Sequence, residues 1–164
     1  MGQGTSLLAQ KWRDPPGFAL SPELTLVSRI FMSTARCSAK EGRFRIEALV
    51  QSLGEDLLVS VWGGTRPHIG AVGIAMPRPS LADPQRTSAT SSNFTFLGHK
   101  EDVVVKQVSE AISAALGKNV VVTAGIHWDN LVPRDLVVIA GLTQRLAEKI
   151  IRQQQPAGRK HSRK

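Results

Sequence analysis

The chain has 164 residues and a mass of 17.8 kDa, the size of one domain or of one domain with tails. Hydrophobic residues make up 41% and charged residues 21%, which supports a packed core and excludes general disorder. A single cysteine, Cys37, excludes an intrachain disulfide framework and a multi-cysteine zinc module. No apolar run approaches the roughly 20 residues that span a bilayer, so no membrane partner is expected.

The net charge of +8 invites a nucleic-acid reading, but its location argues against one. Residues 152–164 carry +5 with no acid, residues 1–22 carry +1, and the middle keeps only +2. A basic terminus of this kind reads as a solvated tail. The few aromatics form no base-stacking ladder beside it. No basic start leads into an apolar run, as a secretory signal would require, so the expected location is a reducing cytoplasm.

Residues 1–22, punctuated by Gly, Ser and Pro, read as a disordered N-terminal segment. A single domain is expected over 23–151, followed by the basic disordered tail 152–164. Within the domain, a first strand is expected at 23–33. A second at 43–51 alternates cleanly, with Phe44, Ile46, Ala48 and Val50 pointing one way. The third, 56–62, ends at Gly63-Gly64. The fourth, 69–76, carries Gly70 and Gly73, and glycine inside a strand marks either a close approach of backbone or ligand or a tight sheet contact. Residues 77–91 read as a long polar loop, a lid candidate, before a short fifth strand at 93–97.

A helix then runs from about Glu101 to Leu116, with Val104, Val108, Ala111, Ile112 and Ala115 at helical spacing and Lys106, Gln107, Glu110 and Ser113 opposite. Gly117 stops it. A Val-rich strand at 119–127 looks buried on both faces. Pro133 starts a second helix, where its missing N–H does no harm. Its expected stripe is Leu136, Ala140, Thr143, Ala147 and Ile150, widened by Ile139, Leu142 and Leu146. Mostly consecutive strands followed by helices predict an α+β fold. Its sheet is mostly antiparallel, of about six strands, with two helices on one face.

Three junctions place polar side chains at strand ends, where a rigid scaffold presents them. They are Gly63-Gly64-Thr65-Arg66-Pro67-His68, Gly98-His99-Lys100-Glu101-Asp102 and Gly125-Ile126-His127-Trp128-Asp129-Asn130. The second aims the free N–H groups of a helix start outward beside Lys100, a phosphate cradle. Glu101 and Asp102 compete for those N–H groups, or simply cap the helix. His68, His99 and His127 could meet at a metal with Asp102 or Asp129, but none has paired His spacing, so no metal ligand is assigned. Cys37 and Ser91-Ser92 lack the surroundings of a nucleophile, and no catalytic residue is assigned. Trp62 and Trp128 end strands, where they either stack on a flat ligand or serve the core.

Residues 91–130 carry Gly-His-Lys-Glu-Asp, an Ala- and Val-rich helix, and Gly-Ile-His-Trp-Asp-Asn. Together with Pro67-His68-Ile69-Gly70-Ala71-Val72 upstream, this run resembles the small prenylated-flavin chaperones, the D-type accessory subunits of gallate and related hydroxyaryl decarboxylase systems. The resemblance covers about residues 24–151. Glu101 departs from it, because the family pattern is closer to Gly-His-Lys-Asp-Asp.

The resemblance implies a fold like that of proteasome-assembly chaperones and a homodimer. It also implies binding of prenylated FMN (or FMN) made by a flavin prenyltransferase, with delivery to a UbiD-type decarboxylase and no catalysis by the chain itself. The matching polar positions are His68, His99, Lys100, Asp102, His127, Asp129 and Asn130. The chemistry of a phosphorylated tricycle adds Arg66, Gly98 and Trp128, with a ring slot expected at Gly70 and Gly73 beside a tryptophan. Two other readings remain open. One is a small enzyme using a histidine as general acid or base, and the other is a pure assembly protein that binds no cofactor.

Overall fold

The computed structural model describes residues 32–155. In chain order the elements are β1 (Met32–Glu41), β2 (Phe44–Leu53), β3 (Asp56–Gly64), β4 (Ala71–Pro79), β5 (Thr87–Thr95), α1 (Asp102–Leu116), β6 (Val120–His127) and α2 (Pro133–Gln154). They form an α+β fold around one six-stranded sheet ordered β1-β2-β3-β6-β4-β5. Every neighbouring pair is antiparallel except β3 and β6, which run parallel.

Period-two alternation sends one set of side chains to the helices. Ile46, Val50, Val59, Val120 and Val122 are fully buried there against Val105, Val108 and Ile112 of α1 and Leu142, Leu146 and Ile150 of α2. The other side of the sheet is uncovered by any described element. Ile74, Met76 and Phe94 are each more than half exposed on it.

The position of β6 decides where function can sit. Because β6 lies between β3 and β4, the link from β3 to β4 must cross the carboxyl end of β6. Backbone hydrogen bonds pin that crossing: Thr65 N–H donates to the His127 carbonyl at 2.8 Å and Gly70 N–H to the Ala124 carbonyl at 2.8 Å. The link from β5 to α1 is tied to the same place, with Phe96 N–H donating to the Gly70 carbonyl at 2.9 Å. Three chain segments far apart in sequence therefore meet at one end of the sheet.

Several expectations are corrected. Of the strand expected at 23–33, only Met32 and Ser33 fall among the described residues, and they open β1. The rest of β1 exposes no large apolar alternation, since Ala35, Cys37 and Ala39 face the helices. The expected loop at 77–91 is mostly a hairpin. β4 runs to Pro79, β5 starts at Thr87, and Ser80–Arg86 alone connect them. No long lid stands there, because Ser and Thr make an exposed edge strand as readily as a loop.

In α1 the buried row is Val105, Val108, Ser109, Ile112 and Ser113, so Ser113 faces the sheet and Ala111 and Ala115 are exposed. The small hydroxyls fit a close helix–sheet contact and bond backbone carbonyls, Ser113 Oγ donating to Lys118 O at 2.8 Å. In α2 the core row is Ile139, Leu142, Thr143, Leu146, Ala147 and Ile150, while Leu136 and Ala140 point outward. Val121 and Thr123 of β6 are only half-buried, because no helix covers their side.

Candidate functional site

The three junctions converge on a hollow of about 500 Å³ lined by Arg66, His68, Gly98, His99, Lys100, Glu101 and His127. That volume lies within the roughly 300–1,000 Å³ usual for small-molecule sites. The His68 and His99 rings stand 4.6 Å apart and His68 and His127 6.4 Å apart, centroid to centroid. A larger hollow of about 630 Å³ lies between α1 and α2, but Val108, Ala111, Val137 and Ala140 make it mainly apolar, and no histidine or cation lines it.

Close backbone approaches hold the site together. A Cβ on Gly125 would overlap the His68 carbonyl, and one on Gly70 would overlap the Glu101 carboxylate and meet His99 Nδ1 at 3.0 Å. The missing side chains let the β3–β4 link lie on β6 and let Glu101 enter. Gly70 therefore makes room for protein groups rather than for a ring. Gly73 sits against Val105 of α1, an ordinary tight helix–sheet contact. The ring slot expected at these two glycines is not formed.

Each wall residue has a definite tether. His68 Nδ1–H donates to the Arg66 carbonyl at 2.9 Å, and its Nε2 faces His99 Nδ1 at 3.1 Å. Glu101 is 9% exposed. It accepts from Lys100 N–H at 3.0 Å through one oxygen and from Ile126 N–H at 3.3 Å through the other. The Arg66 guanidinium donates to Asp129 Oδ1 at 2.7 Å and lies 2.6 Å from His127 Nε2, which is itself 3.1 Å from Asp129. One ring nitrogen cannot accept from Arg66 and donate to Asp129 at the same time, so this trio is adjustable. The His127 hydrogen bond, then the Arg66 charge, hold the Asp129 carboxyl below the usual carboxylate range.

Of the expected residues, Arg66, His68, Gly98, His99, Lys100 and His127 line the hollow, and Asp129 is bonded to two of them. The other three neither line it nor bond to a side chain that does. Asp102 is exposed at the start of α1, where its carbonyl accepts from Asn93 at 3.5 Å. Asn130 is an exposed turn residue with φ of 57°. Trp128 turns into the core, edge-on to Phe44 at 5.1 Å, because Phe44 and Gly63 leave it an apolar berth there. Glu101 was missed as a wall residue. Its place in the first turn reads as a cap, yet its side chain makes no cap bond; only the crossing of β6 brings Ile126 N–H within its reach.

Residues 40–155 match the family described as prenylated flavin chaperone LpdD-like domain. Over 117 residues the chain is 28% identical to Protein LpdD of Lactiplantibacillus plantarum, covering 71% of this chain and 82% of that protein. It is also similar to a chain in the crystal structure of a chaperone complex for yeast 20S proteasome assembly. There the TM-score is 0.48 and the identity 13%, with 75% of this chain and 97% of that chain covered.

Proposed function

The chain belongs to the prenylated flavin chaperone family, and we propose from that premise that it binds prenylated FMN and hands it to a UbiD-type decarboxylase without turnover of its own. The observation that carries this reading is the hollow at the sheet end, where three imidazoles, Lys100 and Arg66 face one another. Guanidinium, ammonium and imidazole N–H groups are the donors a phosphate monoester requires. The hollow offers no apolar slot, so it suits the phosphate end of the cofactor.

A flat ring then needs a surface beside the hollow. Trp62 pairs with Gly125 on the same side of the sheet as His127, and it is the half-buried aromatic on that side. Exposed Ile74, Met76 and Phe94 lie farther across. We assign this uncovered face to a second copy of the chain, which makes the carrier a homodimer, since a soluble monomer rarely leaves a contiguous apolar patch of that kind bare.

For a carrier, the cofactor is cargo. The tethers described above orient the wall residues without catalysis, and the Arg66–His127–Asp129 trio can open to accept an anion and close again on release. The flavin prenyltransferase loads the cargo, the decarboxylase takes it, and the setting is the cytoplasm.

The test is co-expression with a flavin prenyltransferase. The purified chain should carry a flavin chromophore, show no decarboxylation alone, and restore activity when mixed with cofactor-free decarboxylase. Colourless protein from that co-expression, together with decarboxylation by the chain alone, would establish the small-enzyme reading instead. Capture of the decarboxylase by a chain that never retains flavin would establish the assembly reading.

A further inference from the structure

His68 Nε2, His99 Nδ1 and the Glu101 carboxylate form a triangle that the phosphate reading does not require. The two nitrogens lie 3.1 Å apart, His68 Nε2 is 3.5 Å from Glu101 Oε1, and His99 Nδ1 is 3.6 Å from Glu101 Oε2. Ligand atoms bound to one metal at about 2.1 Å lie about 3.0 Å apart at a right angle and about 3.4 Å apart in a tetrahedron. The N···N edge falls in that range, each nitrogen's nearest carboxylate oxygen lies just beyond it, and one ligand atom from each of the three residues lies within 4.8 Å of the other two, so a small turn of the carboxylate or its binding through both oxygens closes the set.

The supporting bonds point the same way. His68 Nδ1–H is committed to the Arg66 carbonyl, which in the neutral ring fixes the lone pair on Nε2 and aims it into the triangle. Glu101 is buried and has a backbone N–H on each oxygen, the outer-shell anchoring typical of a ligating carboxylate. Gly70 supplies the space its carboxylate occupies. A proton on His99 Nδ1 bridges only to His68 Nε2, whereas a dication draws on both nitrogens and the carboxylate together.

We propose that His68, His99 and Glu101 bind a divalent first-row transition-metal ion whose open coordination positions face the hollow. Two imidazoles and one carboxylate favour zinc, cobalt, manganese or iron over calcium or magnesium. The triad carries −1 with both rings neutral, so a bound dication leaves +1 beside Lys100 and Arg66. That charge calls for an anionic oxygen as the next ligand, and a phosphate monoester fits. Only this last clause rests on the flavin reading; the metal site stands on the triangle alone.

The test uses tag-free, full-length protein stripped with a chelator and then freed of it. Titration with Co²⁺ should give one equivalent per chain with visible ligand-field absorption, displaced by Zn²⁺. Zn²⁺ should raise the melting temperature of the stripped protein. Glu101→Gln and His68→Ala should each weaken binding by about 100-fold or more, beyond the roughly 10–100-fold that loss of a supporting bond costs. Glu55→Gln, at the β2–β3 turn, should bind as the parent does. If His68→Ala fails to fold, Glu101→Gln, which keeps shape and volume, decides.

Absence of saturable binding, or equal binding by Glu101→Gln and the parent, overturns the site. Flavin retention is measured separately, in chelator. Retention there without metal binding removes the metal site and leaves the carrier. Metal binding by a chain that never retains flavin keeps the site and removes the carrier.

Discussion

The two sides of the sheet differ in what the chain itself completes, and β4 shows both. Ala71 and Ala75 face the helices and are at most 1% exposed, while Ile74 and Met76, one residue along, are 55% and 57% exposed. On the covered side every apolar group meets another from the same chain. On the uncovered side apolar groups meet no described element, and at the sheet end the polar groups are tethered to one another around an open hollow. The proposed function places stability in the first region and recognition in the second, so substitutions should separate the two.

The largest effect is expected on the covered side. Leu142 is fully buried between α2 and the sheet, so Leu142→Ala should cost about 2–5 kcal/mol of unfolding free energy. Denaturant titration measures this, and flavin bound per folded chain should not change. On the uncovered face, Met76→Lys should leave the fold intact and weaken self-association by about 2 kcal/mol or more, through a buried unpaired charge in the shared surface. Sedimentation should then show monomer, and a variant that sediments as the parent does would remove this face from the dimer.

At the sheet end, His127→Ala should weaken flavin retention about tenfold, the loss of one charge-assisted hydrogen bond. Its stability should change by less than about 1 kcal/mol. Melting losses equal to those of Val122→Ala, in the core, would make His127 structural.

The smallest effect concerns Cys37, whose Sγ–H donates to Gln153 at 2.6 Å on the helix-covered side of edge strand β1. Burial raises its thiol above the ordinary value, against a smaller opposing pull from Lys149. Because the thiolate is the nucleophile, a raised value means less thiolate at neutral pH. Alkylation should be slow at pH 7 and still rising above the pH where a free thiol levels off. A plateau near pH 8 would contradict this.

The sequence was most readable where local pattern decides structure. Phe44, Ile46, Ala48 and Val50 declare β2, and Pro133 marks the start of α2. It was least readable where distant segments decide. Nothing local places β6 between β3 and β4, and that insertion sets the β3–β4 link over Gly125 and aims Glu101 at Ile126. Edge strands β1 and β5 use Ala, Ser, Thr and Asn, whose pattern a loop shares. The same ambiguity hid Trp128, since a tryptophan at a strand end serves a ligand or the core according to what stands opposite, here Phe44. The histidines could be found because each sits within two residues of a glycine or proline at a strand end, although their tethers could not.

The most direct test of the account is a crystal structure of the full chain grown with prenylated FMN or FMN. The phosphate group should occupy the hollow bounded by His68, His99, Lys100 and His127. A flavin held instead between α1 and α2, with the sheet end bare, would contradict it.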